Sequence, residues 1–340
     1  MRARTRLSGA ATFLLLLALS SQGLADTRKI QLAHAPSEVR QTITNVLKSA
    51  KLKELRRRTE HGETTFEATM TRNNLTREFV VATDGELLSM EIGLDEVPAA
   101  ARGTIQRVVG KATIERIDRT VENGEPLYEV SMEHEGKSRE FTVSVDGVMT
   151  RYEVDYAQLP LVVRRTVQAN IATNQIERVD RTFEDGELNY DVQFTTNGEA
   201  RVLVVGTNGT LSRIEIGLNQ APAEVQKAIR THLRGWKPGD IDKVFDEGEV
   251  TYEVQAKKGR ATREFVLDSG GKLVSEQIAL TDAPVAVRRT IESKLGAGKL
   301  TRLDRYVEAD GTIVFDVESK ANGRSFDFSV GLDGTFLGEN

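Results

Sequence analysis

The sequence predicts an α+β fold of five tandem repeats, each made of one helix packed on a four-stranded antiparallel sheet. Five of the seven prolines are equally spaced along the chain: Pro36, Pro98, Pro160, Pro222 and Pro284. We call this constant spacing the repeat step. A glycine series keeps the same step until one residue is inserted in the last copy: Gly85, Gly147, Gly209, Gly271 and Gly334. Self-similarity at a fixed period is typical of repeat architectures and therefore takes precedence over any single motif.

Positions 1–25 have the pattern of a secretory signal peptide. Three arginines precede the apolar run 10–19, and Gly23 and Ala25 supply the small residues of a cleavage site after Ala25. A run of about ten apolar residues is too short to cross about 30 Å of hydrocarbon. We therefore expect a periplasmic or secreted protein with no membrane span after cleavage.

The rest of the chain is expected to divide into five units of similar length. The predicted boundaries are 26–94, 95–156, 157–218, 219–280 and 281–340. In each unit the proline is expected to open a helix, because its fixed φ suits the first turn. Apolar residues then recur one turn apart, as Val39, Ile43 and Leu47 do in the first unit, which predicts one buried stripe.

After each helix the hydrophobic period changes to two, which indicates strands. In the second unit, Asn123-Gly124 separates the first two strands and Asp146-Gly147 separates the last two. One sheet face is apolar and is expected to be covered by the helix, while the other is polar and open. The segment 29–32 aligns with the end of a fourth strand, 91–94, and is expected to cap the array or, alternatively, to close it onto the fifth unit.

The second strand of each unit carries a recurring aromatic–acid–aliphatic triplet. Its copies begin at Phe66, Tyr128, Tyr190, Tyr252 and Phe315. With the Pro-x-x-Val spacing and the Asp-Gly-x-Leu turn, this pattern resembles the PepSY-like repeats related to the β-lactamase inhibitory protein. The resemblance implies an extracytoplasmic, non-enzymatic protein, in a family whose better-known members bind or inhibit hydrolases and peptidases. It transfers no inhibitory residue to this chain.

Composition excludes several classes of protein. Without cysteine, the chain cannot be a disulfide scaffold, a thiol enzyme, a Cys-ligated zinc or iron–sulfur protein, or an acylated lipoprotein. A net charge of -5 does not suit a nucleic-acid binder, and 39% hydrophobic residues do not suit a disordered chain. The four histidines occupy different repeat positions without metal-ligand spacing, and Leu300 follows Lys299 where a phosphate loop needs Ser or Thr. We predict neither a cofactor nor an enzyme.

Repeated acids mark the candidate site. The second strands carry Glu67, Glu129, Asp191, Glu253 and Asp316, and the first strands carry Asp118, Asp180, Asp242 and Asp304. A two-residue hairpin at 123–124 would place Asp118 opposite Glu129, although facing like charges are destabilising. The acids could form a docking face for a basic protein partner or weakly gather calcium. Alternatively, they form a solvated face that prevents edge-to-edge aggregation.

Two further features could belong to a binding surface. Trp236 is the single tryptophan and stands between the helix and first strand of the fourth unit, where it could anchor a partner or pack half-buried. A basic residue recurs on the first strand of each unit, at a position whose alternation with its neighbours would otherwise predict an apolar side chain. These residues are Arg57, Arg119, Arg181, Lys243 and Arg305. We expect their stems to lie on the core rim and their charged groups to reach aromatic rings or helix-end carbonyls.

The leading functional hypothesis is an exported, non-enzymatic binding protein of the bacterial envelope. Its open acidic face would engage a protein partner, and inhibition or modulation of a peptidase or hydrolase is one form this could take. The alternative is a structural or divalent-cation-buffering envelope protein without a dedicated partner.

Overall fold

A computed structural model describes most of the chain. The described residues are 26–60, 63–72, 75–122, 125–171, 175–184, 186–258, 261–296, 298–308, 310–321 and 324–339. They form a mixed α+β structure in which antiparallel strands predominate. The predicted signal peptide, the Asn123-Gly124 turn and His61 lie outside the described residues.

The described residues contain five α-helices of equal length, which begin one repeat step apart. They are α1 (Ser37–Leu47), α2 (Ala99–Val109), α3 (Leu161–Ile171), α4 (Ala223–Leu233) and α5 (Val285–Leu295). The sequence predicts each proline as the first residue of its helix, but in the structure the helix begins one residue after the proline. Pro98, with φ -53 and ψ 148, is the residue before α2, and its carbonyl accepts from the Arg102 N–H at 2.8 Å. The proline therefore supplies the first acceptor of the helix.

A short strand precedes α1, and four strands follow each helix among the described residues. They are β1 (Asp26–Lys29), β2 (Lys51–Glu60), β3 (Glu63–Arg72), β4 (Leu75–Ala82), β5 (Leu87–Glu91), β6 (Thr113–Glu122), β7 (Glu125–His134), β8 (Lys137–Ser144), β9 (Met149–Glu153), β10 (Gln175–Glu184), β11 (Glu187–Thr196), β12 (Glu199–Gly206), β13 (Leu211–Glu215), β14 (Lys237–Asp246), β15 (Glu249–Lys258), β16 (Ala261–Asp268), β17 (Leu273–Gln277), β18 (Lys299–Val307), β19 (Ile313–Ala321), β20 (Arg324–Gly331) and β21 (Phe336–Glu339).

The chain divides into two compact units. Among the described residues, unit one comprises those up to Leu159 together with 178–191, and unit two comprises those in 160–177 and from 192 onward. Strands β10 and β11 are divided between them. The boundaries predicted from the sequence for five units stay a prediction.

Unit one is built from antiparallel neighbours. Strands β2 to β5 pair in order, β5 pairs with β6, β6 to β9 pair in order, and β9 pairs with β10. Strand β1 pairs with β2, where Arg28 faces Arg57. The N-terminal segment is therefore an additional strand beside β2, as the capping alternative predicted.

Unit two follows the same rule. Strand β12 pairs with β13, and each further strand up to β21 pairs antiparallel with the next. The pairs β13–β14 and β17–β18 join strands that flank a helix, as β5–β6 does in unit one. Chain segments that are separated by a helix are thus joined by strand pairing within each unit.

Each core lies between a helix and one face of the strands that follow it. In α2, Ala101, Ile105 and Val109 are buried against strand residues such as Val130 and Phe141. Val39 and Ile43 of α1 are fully buried, and this agrees with the predicted stripe. Because the helix covers one face, alternation along each strand leaves polar side chains on the other.

A glycine and a threonine attach α2 to the strands. Gly147 has φ +84, and a Cβ added there would lie 2.8 Å from the Ala100 carbonyl oxygen, so a larger residue would push the helix away. The Thr104 hydroxyl donates to the Gly147 carbonyl at 2.7 Å. The β8–β9 turn and the first turns of α2 are therefore held in direct contact.

Candidate functional site

The candidate site lies on the open face, which we define as the sheet face opposite the helices. In β7, Tyr128, Val130 and Met132 are buried under α2, while Glu129 and Ser131 alternate with them and point the other way. The same parity places Glu67, Asp191, Glu253 and Asp316 on this face. The open face therefore carries the acids that the sequence singled out on the second strands.

Strand register brings the acids into cross-strand rows. Asp118 pairs with Glu129, as predicted, and Glu91 of β5 pairs with Asp118 from the other side. In unit two, Asp242 pairs with Glu253, and Asp304 pairs with Asp316. Directly opposed side chains have Cβ atoms about 5 Å apart, so these carboxylates lie close enough to repel one another.

Five strand pairs flank a helix, and four of them concentrate these acids; we call each of these four pairs a seam, while the fifth, β1–β2, has Arg28 opposite Arg57. The first seam is β5–β6, the second β9–β10, the third β13–β14 and the fourth β17–β18. The first two lie in unit one and the last two in unit two.

An arginine neutralises the first seam. Arg116 Nη1 lies 2.9 Å from a Glu78 carboxylate oxygen and 3.9 Å from one of Glu91, and its Nε donates to Asp118. The hydrogen bond to Asp118 raises the pKa of the Arg116 guanidinium. One guanidinium thus contacts three carboxylates from three strands, which offsets the repulsion expected between them.

The second and fourth seams use an arginine in the same way. Arg178 donates to Glu140 and, at 2.8 Å, to Asp180. Arg302 lies 2.9 Å from Glu264 and 2.5 Å from Asp304. In these three seams the arginine precedes the aspartate by two positions, so both side chains share the open face.

These arginines correct the expectation of an exposed acidic face. Asp118, Asp180 and Asp304 are 4%, 1% and 7% exposed, respectively. Each aspartate can be buried because a guanidinium from the same strand bonds to it, and buried charges persist in proteins when they are paired. The first-strand acids of these three seams therefore present little surface to a partner.

The second-strand acids remain half-buried and partly accessible. Arg58 Nη1 lies 3.3 Å from Glu67, the Thr182 hydroxyl donates to Asp191 at 3.0 Å, and the Ser329 hydroxyl donates to Asp316 at 2.6 Å. Neighbouring Thr142 is only 6% exposed, although it lies on the same face. Long charged side chains thus cover some of the short polar ones, and carboxylates and guanidinium groups form part of the accessible surface of the face.

The third seam differs from the other three in its charges. Asp240 occupies the position that is equivalent, by the repeat spacing, to Arg116, Arg178 and Arg302 in the other three seams. Glu215 pairs with Asp242, which pairs with Glu253, so three carboxylates lie in one row. Arg213 Nε is 3.9 Å from Asp242, longer than the contacts that the seam arginines make with Asp118, Asp180 and Asp304.

The pKa values of the third seam reflect this crowding. Burial, together with Asp240 and Asp242, raises the pKa of Glu215 to about 7. Burial and Asp242 raise the pKa of Glu253 to about 7, and burial also raises the pKa of Asp242 against the opposing effect of Arg213. The ionised forms of these groups are therefore disfavoured in the folded state.

Trp236 lies on the helix side of the sheet and not on the open face, and its part in binding stays a prediction. It packs half-buried against the core that contains Leu233 and Phe265, on the helix side of the sheet. The Arg263 guanidinium lies over its ring, 4.9 Å from the centroid, and also donates to the His232 carbonyl at the end of α4. This is the half-buried alternative that the sequence left open.

The basic residues at apolar parity have varied partners. Arg305 Nη2 bonds to Glu276 at 2.8 Å, and Lys243 lies over the Phe245 ring, 4.8 Å from its centroid. Helix-end carbonyls are reached instead by Arg72 and Arg263, which bond at the ends of α1 and α4. The predicted ring contact therefore occurs at Lys243, whereas the helix-end contacts are made by arginines outside the predicted set.

Sequence reasoning missed the seam arginines, although their signal was present. Arg178 follows Arg116 by one repeat step, Arg302 follows Arg178 by two, and Asp240 breaks the series between them. The acids alone do not reveal this pattern, because it joins an arginine to the aspartate two positions later on the same strand face.

Two further predictions concern weak calcium binding and the absence of a membrane span after cleavage. Within the described part of the chain, no group of three or more histidine, aspartate or glutamate side chains is arranged to hold a metal ion. Nor does this part contain a helix with the length and hydropathy needed to span a membrane.

Comparison with solved structures finds partial likeness to bacterial proteins. A protein from Bacteroides eggerthii, provisionally described as periplasmic, is 14% identical, covers 35% of this chain and 88% of its own, and gives a TM-score of 0.28. A DUF2874 family protein from Bacteroides ovatus is 10% identical, with coverages of 34% and 84% and a TM-score of 0.27. A BLIP-like protein from Bacteroides fragilis is 16% identical, with coverages of 36% and 86% and a TM-score of 0.26.

These similarities are too low to carry an argument about function. No protein-family model matches the chain, and no curated protein matches it.

Proposed function

We propose that this chain is an exported, non-enzymatic binding protein of the bacterial envelope, built from five PepSY-like units, whose open face engages a basic protein partner. The proposal is supported by the signal-peptide pattern of positions 1–25, the recurrence of helix and strand bounds at the repeat step, and the rows of carboxylates on the open face. Partner binding through a charged face depends on electrostatic complementarity, which mainly governs specificity and association rate.

The third seam is the part of the open face best suited to receive a basic side chain. The first, second and fourth seams each hold a guanidinium from their own chain. In the third seam Asp240 takes that position, and Glu215, Asp242 and Glu253 form a carboxylate row. An arginine or lysine of a partner would therefore complete an arrangement that this chain makes internally elsewhere.

A single substitution tests this proposal. Asp240→Arg supplies the arginine that the other seams contain, so it should fill the seam and repel a basic partner. Purified protein would be used to capture partners from envelope extract, followed by affinity measurement with each purified partner. We expect at least a tenfold loss of affinity for Asp240→Arg, since one close charge pair is worth about 1.5 kcal/mol or more.

The matched control is Asp246→Arg. It makes the same charge change on an exposed residue of the same strand, six positions from Asp240. A partner that binds wild-type protein and Asp246→Arg but not Asp240→Arg would support the proposal. Equal affinities for all three proteins would show that the third seam does not contact the partner.

The form of the binding is tested separately. If the partner is a peptidase or hydrolase, its activity in the presence of wild-type protein would show whether binding inhibits it. Calorimetry with calcium addresses the alternative of a cation-buffering protein: several equivalent weak sites, with no captured partner, would favour that alternative.

A further inference from the structure

The third seam contains the most crowded row of acids in unit two. Glu215 on β13 faces Asp242 on β14, and Asp242 faces Glu253 on β15. Asp240 precedes Asp242 on the same strand and lies at a register shift between Pro238 and Ile241. Four carboxylates thus approach one another across three adjacent strands.

The charged groups around this row come from every neighbouring strand. Glu264 of β16 adds a further negative charge near Asp242 and Glu253. Positive charge comes from Arg201 of β12, Arg213 of β13 and Arg302 of β18, and the Lys257 side chain of β15 lies near Gly239. Arg302 itself bonds to Glu264 and Asp304, and Arg201 bonds to Glu199. Two of these cations are therefore already engaged outside the row.

We propose that the third seam is a pH-responsive junction: the β13–β14 pairing is tight at mildly acidic pH and opens more often as the carboxylates of the row ionise. This property goes beyond the proposed function, because it needs no partner. The first seam provides the contrast, since Arg116 bonds to the acids there.

The direction of the effect follows from proton linkage. Burial and neighbouring acids raise the pKa values of Glu215 and Glu253 to about 7, above the ordinary value of 4.5. A group with a raised folded-state pKa contributes full stability below its unfolded pKa, and that contribution is lost as pH rises through the folded value. The seam should therefore loosen between about pH 5 and pH 8.

Amide hydrogen exchange reports on opening of the seam directly. The Ile216 N–H donates to the Ile241 carbonyl across the third seam at 2.8 Å, and the Ile92 N–H makes the equivalent bond to Ile117 at 2.9 Å across the first seam. Exchange would be measured by NMR on the chain alone and corrected for intrinsic rates. From pH 5 to pH 8 we expect the protection of Ile216 to fall roughly tenfold or more, and that of Ile92 to change less than about twofold.

Two variants should abolish or reduce the response. Asp240→Arg introduces the seam arginine, and Glu215→Gln introduces the residue that Gln277 supplies at the same position of the fourth seam. Asp246→Arg serves as the control and should retain the wild-type response. If Asp240→Arg does not fold, Glu215→Gln and the comparison of Ile216 with Ile92 still test the proposal.

Two results would overturn it: equal protection of Ile216 at both pH values, or an equal fall at Ile216 and Ile92. The outcome is separable from that of the proposed function. Loss of the pH response in Asp240→Arg with unchanged partner affinity would support the junction and contradict the docking site, whereas the reverse result would do the opposite.

Discussion

At the residue scale, the position two before the first-strand aspartate decides the character of each seam. Where it is arginine, the aspartate is buried and bonded, as with Arg178 and Asp180. Where it is Asp240, Asp242 stays partly exposed, with 24% of its side-chain surface accessible. Burying a carboxylate is costly unless a cation is bonded to it, so the residue at this one position changes how deeply the aspartate is buried.

Removing a seam arginine should destabilise unit one. Arg178→Gln leaves Asp180, which is 1% exposed, without its guanidinium. We expect the free energy of unfolding to fall by about 3 kcal/mol, because the buried carboxylate loses its compensating charge. Urea unfolding followed by circular dichroism would measure the change.

Two companion variants make this test specific. Arg178→Gln combined with Asp180→Asn should recover part of the loss, since no unpaired charge then remains buried. Arg213→Gln removes the longer, more exposed contact to Asp242 and should cost less than about 1 kcal/mol. Equal losses for Arg178→Gln and Arg213→Gln would contradict the distinction between the two kinds of seam.

At the element scale, the sequence predicted the parts that depend on periodicity. The helices, the core stripe with Val39 and Ile43, and the pairing of Asp118 with Glu129 follow from helical and strand periodicity and from hairpin length. It did not predict the burial of Asp118, because that depends on where the Arg116 side chain lies across three strands. Nor did it place Trp236, since a residue between a helix and a strand has no periodic neighbour that fixes its face.

The attachment of each helix to its sheet should be measurable through one hydroxyl. Thr104→Val keeps the shape of the side chain but removes the donor to the Gly147 carbonyl. We expect a loss of about 1 kcal/mol in the unfolding free energy, as for a typical part-buried hydrogen bond. Urea denaturation followed by circular dichroism is suitable, since the single tryptophan lies in unit two.

Thr44→Val is the matched control for Thr104→Val. The Thr44 hydroxyl is exposed and donates only within α1, to the Arg40 carbonyl at 2.7 Å. Its removal should change the unfolding free energy by less than about 0.5 kcal/mol. A similar loss in both variants would mean that the contact with the glycine turn does not anchor the helix.

At the scale of the whole molecule, charge is distributed unevenly although the net charge is only -5. Both seams of unit one contain an arginine bonded to their acids, as does the fourth seam in unit two. The third seam alone has an acid at that position in the sequence. A balanced total therefore conceals one strongly acidic row, and the two units should respond differently to pH.

Unit two should become less stable as pH rises through neutrality. Glu215 and Glu253 have folded-state pKa values of about 7 against an ordinary 4.5, so their contribution is complete below about pH 4.5 and is lost as pH rises through about 7. His232 acts in the opposite direction, since burial lowers its pKa from 6.5 and the folded state is then disfavoured at acidic pH. Because His232 works in the opposite direction, a net fall in the stability of unit two from acidic to alkaline pH would be due to the carboxylates.

Trp236 fluorescence provides the measurement, because this residue packs on the core of unit two and is the single tryptophan of the chain. Between pH 5 and pH 8 we expect the free energy of unfolding from its urea transition to fall by about 3 kcal/mol. This is the magnitude expected for two interacting carboxylates whose pKa values are raised in the folded state. Replacing both Glu215 and Glu253 by glutamine should remove most of the dependence, because neither position can then ionise. If the urea transition of the wild-type protein instead stayed constant or shifted to higher stability as pH rises, ionisation of the row would not control the stability of unit two. The carboxylates of Glu215 and Glu253 would then have to be stabilised in their ionised form by other charged groups.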